Sequence, residues 1–382
     1  MKSNLLRLLR CPASGRPLSY IPFAENGQEA LPEGVLVVDE KCWYPVMDGV
    51  PRFLDAATGH DLADFHVRHR KKILAAGLLS PDRSAERASE CSQDLRQTRQ
   101  SFGYKWNSHP EWGIRKGSAH VTQEWMLKKY GWEEEARFRE HMRGKKAVLD
   151  AGTGLGREVI HFAEANPEAL VYGMDLSDSV LSAVRHTCAY PKTMVVQADL
   201  MKPPFARTTF DFILAEGVLH HTRDTRAALH SLVRLLAPGG EIAFYIYRKK
   251  GAVREFSDDF IREKVSRLSP EDAMEAVKPL TLLGQVLSRI EGEVEVPEIP
   301  LLQIRAGTYP VQRLLYWHFL KCFWNESLSL EENNLVNFDW YHPHYANRHT
   351  RQEVIRWLDE LGLECCWEHE EEAGITIRAR RT

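Results

Sequence analysis

The sequence predicts an α/β fold built on a parallel sheet with helices on both faces. Three observations predict it. Apolar segments at 147–150, 170–174, 193–197, 210–215 and 240–247 alternate with helical patterns near 154–165, 177–188 and 222–236. That strand–helix–strand rhythm belongs to a parallel sheet. The first strand runs directly into "AGTGLG", a loop with Gly152, Gly154 and Gly156 at alternate positions. The chain has 382 residues, more than one such sheet needs, so additions before and within it are expected.

Composition excludes several classes. Hydrophobic residues at 43% and charged residues at 27% are an ordinary globular balance. A formal charge of −3 offers no basic face of the kind that a nucleic acid or membrane surface recruits. No run approaches the roughly 20 apolar residues of a membrane helix. The opening "LLRLLR" is too short and too charged for a signal-peptide core. Seven cysteines without regular spacing argue against a disulfide framework. The expectation is a reduced, cytoplasmic protein with no nucleic-acid and no membrane partner.

Taken in order, residues 1–55 read as a small β-rich unit, with turn residues between two apolar segments. Residues 56–100 are polar and read as a linker or exposed helix. "SFGYKWNSHPEWG" (101–113) is aromatic and turn-rich, and two helical patterns follow it to Arg143. The alternating region then runs to about 250, where "LLAPGGEIAFYIY" gives a helix end, a Pro-Gly-Gly turn and an apolar strand. Residues 251–340 break the alternation and read as a helical insertion leaving the sheet at its ligand end, a cap over the site. The segment 341–382 resumes with a helix near 350–361, N-capped by Thr350, and strands near 363–369 and 374–380. The main domain is thus 101–250 with 341–382.

A glycine loop between strand and helix lets a ligand lie against bare backbone beside free helix N–H groups. Alone it is a weak signal, and the G-x-G-x-G spacing differs from the dinucleotide G-x-G-x-x-G. Its company is more specific. Asp175 ends the second strand, 23 residues past Gly152, where a carboxylate accepts from both ribose hydroxyls. Asp199 follows the third strand, within reach of an adenine amino group. Glu216, His220 and His221 follow the fourth. Each acid alone is as readily a solvated loop carboxylate or a helix cap. All of them fall at the carboxyl ends of the strands, where doubly wound sheets bind ligands.

With these motifs in hand, the chain resembles the class I S-adenosylmethionine-dependent methyltransferases. "VLDAGTGLG", "VYGMDLS", "VVQADLMKPPF", "FDFILAEGVLHHT" and "LVRLLAPGGEIAFY" are similar to that family's five successive motifs. The resemblance implies a Rossmann-like seven-stranded sheet with its last strand antiparallel. It implies that Asp150, Gly152, Thr153, Gly154 and Gly156 hold the methionyl part of S-adenosyl-L-methionine. It also implies that Asp175 and Leu176 take the ribose, that Asp199 and Leu200 flank the adenine, and that Glu216 completes the set. "LLRCP…YPVMDGVPRFL" is similar to the Trm112-like zinc-ribbon domains. Ser14 stands where that pattern has its second cysteine, and Cys42 lies only two residues before Tyr44. A structural zinc wants four ligands, so this unit is expected to have lost its metal, with one ligand of four left. "SFGYKWN" and "FDWYHPHYANRHTRQEV" are more loosely similar to bacterial methyltransferases of small metabolites. That implies Phe102, Tyr104 and Trp106 closing over the cofactor. It also implies an acceptor border from Phe338 to Tyr345, with Trp340, Tyr341, His342 and His344.

The expected function is methyl transfer to a small-molecule acceptor such as a metabolite, sugar or natural product. Its rivals are a non-catalytic protein that binds the cofactor or a partner, and a nicotinamide oxidoreductase. Methylating a hydroxyl or amine needs a base, and histidine is the natural choice. One of His220 and His221 is expected to face the cavity while the other packs. The rate should fall as pH drops through about 6.5. His342, His344 and Tyr245 come next in line as base. The pair His342 and His344 lacks a third ligand, so no metal is expected. The oligomeric state is left open, a homodimer included.

Overall fold

The computed structural model describes residues 2–23, 31–54, 63–79, 90–114 and 116–382. A 3-10 turn (Lys2–Leu8) leads into an antiparallel sheet of β1 (Ser19–Pro22), β2 (Gly34–Val37), β3 (Trp43–Met47) and β4 (Val50–Pro51), in that order. Asp48 and Gly49 join β3 to β4, both at positive φ (52° and 77°). A two-residue hairpin turn whose twist matches the strands demands that conformation. Next come α1 (Ala63–Ala75), α2 (Glu90–Ser108), α3 (Lys116–Lys129) and α4 (Glu135–Met142). Here the sequence reading needs correcting. The segment from 101 is turn only from His109 onward: α2 runs straight through "SFGYKWNS", so the boundary drawn at 100/101 falls inside a helix. Part of the expected linker, 80–89, lies outside the described residues.

The alternation follows as β5 (Ala147–Ala151), α5 (Arg157–Ala165), β6 (Leu170–Asp175), α6 (Val180–Thr187), β7 (Thr193–Gln197), β8 (Phe210–Glu216), α7 (Thr225–Val233) and β9 (Leu236–Tyr247). The insertion contains α8 (Ala252–Val265), α9 (Pro270–Ser288), a hairpin of β10 (Glu293–Val296) and β11 (Gly307–Pro310), α10 (Val311–His318) and α11 (Leu330–Tyr341). The chain closes with α12 (Arg351–Glu360), β12 (Leu363–Glu370) and β13 (Gly374–Arg381). Seven strands form one sheet in the order β12-β13-β9-β8-β5-β6-β7. Only β13, the last strand, runs against its neighbours.

Every residue of β5 is buried. Leu149 and Ala151 join the core on one face and Val148 the core on the other, which is why the strand reads as a continuous apolar run. β9 starts four residues earlier than expected. Its Pro-Gly-Gly is absorbed by a register irregularity opposite Phe210–Phe212. Thr350 does cap α12, accepting from the Glu353 N–H in a capping box.

The N-terminal sheet is welded to the main one. Leu5, Leu6, Leu9, Leu36 and Val46 share one core with Tyr172, Met174 and Val196. The Tyr172 hydroxyl donates to Leu5 O (2.7 Å), and buried Arg52 donates to Gln197 Oε1 (2.6 Å). Within it, Cys11 Sγ and Cys42 Sγ lie 3.8 Å apart. Two thiols therefore stand where the sequence reading left one. Among the described residues, no three His, Cys, Asp or Glu converge as metal ligands.

The insertion is organised by Asp258, which is fully buried. It accepts from Arg254 Nε (2.7 Å), Trp340 Nε1 (2.9 Å), the Tyr341 hydroxyl (3.0 Å) and Lys321 N (3.3 Å). The aromatic-rich segment "YPVQRLLYWHFLKCFW" (309–324) is helical only to His318. Among the described residues, no helix is long and apolar enough to cross a membrane.

Candidate ligand-binding site

A cavity of about 740 Å³ opens at the carboxyl ends of β5 to β9. The glycine loop forms its floor. The Gly152 N–H donates to Met174 O at 2.6 Å with φ 90°, and a Cβ there would stand 2.6 Å from Val218. Gly154, φ 52°, donates to Asp175 Oδ2 at 2.9 Å, and a Cβ there would meet Trp106 at 3.2 Å. Only glycine gives this path without strain. Bare backbone thus faces the cavity, with Trp106 laid over it.

Asp175 is held from both sides. Its Oδ1 accepts from the Ser177 N–H (2.8 Å) and hydroxyl (2.7 Å), and Oδ2 accepts from Gly154. Asp199 Oδ1 accepts from the Met201 N–H at 2.9 Å, fixing the loop after β7. Leu176 and Leu200 supply apolar wall between these acids. Asp150 differs from both. Its Oδ2 is buried with no hydrogen-bond partner, as is Thr153 Oγ1 beside it. Burial first, and the Glu158 charge next, push the Asp150 carboxyl up to about 8. Glu158 itself is buried, but Arg157 at 2.6 Å and His161 hold it down at about 2. Unsatisfied buried polar groups are rare and costly. This pair sits on a cavity wall where a ligand amine or carboxylate would meet it.

His220 and His221 lie on a short 3-10 turn (Leu219–His221), and the turn separates them. His221 lines the cavity. Its Nδ1 lies 2.7 Å from Tyr345 O, so it donates there, and Nε2 carries the lone pair. Burial pushes this imidazole down to about 4, against the pull of Asp339. It is neutral at pH 7. His220 is fully buried, stacked on Tyr247 at 3.6 Å, with neither ring nitrogen hydrogen-bonded. It does not reach the cavity.

Glu216 is occupied by its own protein. Lys129 Nζ donates to Oε1 at 2.6 Å and the Tyr130 hydroxyl to Oε2 at 2.5 Å. Lys129 is almost wholly buried and lies 3.5 Å over the Tyr245 ring. The end of β8 and the Tyr245 wall are thereby pinned together.

Phe102 and Trp106 line the cavity, four residues apart on one face of α2. Tyr104 lies on the opposite face and packs on Phe338, because the segment is helical. The acceptor border is corrected in the same way. Trp340 and Tyr341 turn into the insertion to bind Asp258, and His342 donates to or accepts from Ser101 Oγ at 2.9 Å. His344 is exposed, 3.4 Å from Asp94. Gly156 starts α5 at φ 84°, against Ala183 rather than in the cavity.

From that border the cavity receives Asp339 and Tyr345. Asp339 Oδ1 is ion-paired with Lys105 Nζ at 2.9 Å; burial pushes the carboxyl up, but the lysine charge holds it below its ordinary value. Sequence reasoning missed Lys105 and Tyr247, and it included Asp339 only within the stretch Phe338 to Tyr345. The alternation of β9, which puts 245 and 247 on one face, was the available signal for Tyr247. It also missed the N-terminal unit's share of the wall, Pro12, Ala13, Tyr44, Phe53 and Leu54.

Residues 149–244 match the family described as "Methyltransferase domain". An uncharacterised methyltransferase of Mycobacterium bovis is 33% identical over 100 residues, 26% of this chain and 50% of that one. The tRNA (carboxymethyluridine(34)-5-O)-methyltransferase of Arabidopsis thaliana is 28% identical, over 39% of this chain and 34% of that one. The chain spans about a quarter to a half of the length of the curated relatives it matches. Among solved structures, the Burkholderia thailandensis 1,6-didemethyltoxoflavin-N1-methyltransferase, with bound 1,6-didemethyltoxoflavin and S-adenosylhomocysteine, is similar at 12% identity and TM-score 0.37. The match covers 73% of this chain and 87% of that one.

Proposed function

We propose that the protein is an S-adenosyl-L-methionine-dependent methyltransferase acting on a small acceptor. The observation that carries the cofactor is the orphaned Asp150 Oδ2 beside bare glycine backbone, with Asp175 at the end of the next strand. Asp150 and Thr153 would hold the amino-acid end of the cofactor. Asp175 would accept the ribose hydroxyls, and Asp199 with Leu200 would border the adenine. S-adenosylmethionine supplies a methyl group already activated on a sulfonium. The chain's task is to align the acceptor, exclude water and remove a proton.

His221 is the base in this reading. Its Nδ1–H is committed to Tyr345 O, so the ring is oriented and Nε2 is the proton-accepting atom. The acceptor places a hydroxyl or amine between His221 and the Lys105–Asp339 ion pair, under the aromatic wall of Phe102, Tyr245 and Tyr247. The cavity, at about 740 Å³, lies within the roughly 300–1,000 Å³ of small-molecule sites. α2 and α11 cover it, which supports a compact acceptor over a nucleic-acid one.

The test is incubation with methyl-labelled S-adenosylmethionine, a metabolite extract and, separately, total tRNA. Label is expected in the small-molecule fraction. Label only in RNA would overturn the acceptor class, and no binding of S-adenosylhomocysteine by calorimetry would overturn the cofactor.

A further inference from the structure

We infer that Cys11 and Cys42 are a thiol pair that closes to a disulfide when a low-molecular-weight disulfide oxidant is present, and that closure weakens ligand binding in the adjoining cavity. The two sulfurs stand 3.8 Å apart from positions 31 residues apart in sequence. A disulfide bond is about 2.05 Å long, so closure asks for an approach of about 2 Å between groups already in contact. The Tyr44 hydroxyl sits against both sulfurs, 3.3 Å from Cys11 and 3.8 Å from Cys42. Cys42 is half-buried and Cys11 buried.

That asymmetry sets the order. The Cys42 thiolate attacks the oxidant RSSR, forming a Cys42–S–S–R mixed disulfide and releasing RS⁻. The Cys11 thiolate then attacks the Cys42 sulfur and expels the second RS⁻. Two protein thiols and one RSSR become one protein disulfide and two RSH, with the two thiol protons carried by the leaving thiolates. Burial raises the Cys11 thiol, but hydrogen bonds from Ser14 and Tyr44 bring it below its ordinary value, which favours it as the resolving nucleophile.

The pair is built into the wall of the cavity. Pro12 and Ala13 follow Cys11 directly, Tyr44 lies two residues after Cys42, and all three line the cavity, while Arg10 N bonds Pro204 O (2.8 Å) in the loop that carries Asp199 and Leu200. Closure disturbs the contacts of both sulfurs with the Tyr44 hydroxyl and draws the Pro12–Ala13 loop toward β3. The wall that would border an adenine loses its anchor. This second half rests on the proposed cofactor site, whereas the first does not.

Protein treated with oxidised glutathione is digested and mapped by mass spectrometry, and S-adenosylhomocysteine affinity is measured by calorimetry before and after treatment. A Cys11–Cys42 linked peptide, reversed by dithiothreitol, and an affinity at least threefold weaker are expected. Cys42→Ser should show neither change. The absence of the linked peptide overturns the thiol pair, and a linked peptide with unchanged affinity overturns its coupling to the cavity. If reduced protein fails to bind S-adenosylhomocysteine, the cofactor site and the coupling fall while the peptide map still decides the pair. Vicinal Cys365 and Cys366, both exposed, fall in a different peptide and do not confuse the map.

Discussion

At the scale of the residue, burial separates groups that the sequence treats alike. His220 and His221 are neighbours of one type, yet one stacks under Tyr247 and the other borders the cavity. His221→Ala is expected to lower turnover at least tenfold with little change in S-adenosylhomocysteine affinity. His220→Phe should retain turnover, since the ring there makes no hydrogen bond and the replacement keeps the stack. Single-turnover rates of both variants, with the acceptor found by labelling, check this. The sequence reading placed the acid limb near 6.5. With His221 pushed down to about 4, the base is neutral above that value and lost only below it. The rate should therefore stay flat from pH 5.5 to 8, and a limb near 6.5 would point to another base. Asp150 gives the opposite sign. Its carboxyl, raised to about 8, carries a proton at pH 7 in the free protein. A ligand ammonium favours the ionised form, so binding should release up to one proton and tighten as pH rises toward 8. Calorimetry in two buffers of different ionisation heat reads that proton, and Asp150→Asn should abolish it.

At the scale of the element, legibility followed the origin of each signal. Strands β5 to β9 were readable because burial on both faces forces apolar runs, and Asp175 because it ends one of them. The face of a helix is another matter. Gly103 and Asn107 lower helix propensity in α2, and tertiary packing against the cavity overrides them, so Phe102 and Trp106 line the cavity while Tyr104 packs on Phe338. In α11 nothing local distinguishes Asp339 from its neighbours. Asp258, from a helix about eighty residues earlier, claims Trp340 and Tyr341 and so turns Asp339 to the cavity. Removing Asp258 should therefore strand buried Arg254 and release α11. Asp258→Ala is expected to cost about 3–5 kcal/mol in denaturant unfolding and to weaken acceptor more than cofactor. An unchanged midpoint would show the insertion held by its apolar contacts alone.

At the scale of the whole molecule, the N-terminal sheet is part of the main core. A chain beginning at residue 55 would bare Tyr172 and Val196 and would lack the cavity wall of Phe53 and Leu54. It should be insoluble or lack S-adenosylhomocysteine binding, and a well-folded, binding-competent truncation would contradict the shared core. Two thiols and a phenol converge beside that sheet, and among the described residues no three His, Cys, Asp or Glu come together there. Elemental analysis of protein purified without chelator is expected to find no stoichiometric zinc.

The hydrogen bond from Tyr172 to Leu5 joins residues 167 positions apart, and that span has a meaning during synthesis. At roughly 5–20 residues per second, the ribosome delivers β6 about ten to thirty seconds after Leu5, Leu6 and Leu9 have been made. For that interval this apolar surface of the nascent chain has no native partner. Contacts of long sequence separation also form slowly, because loop closure comes before any reward. These leucines are thus exposed to chaperone capture and to aggregation during synthesis, although in the finished fold all three are buried.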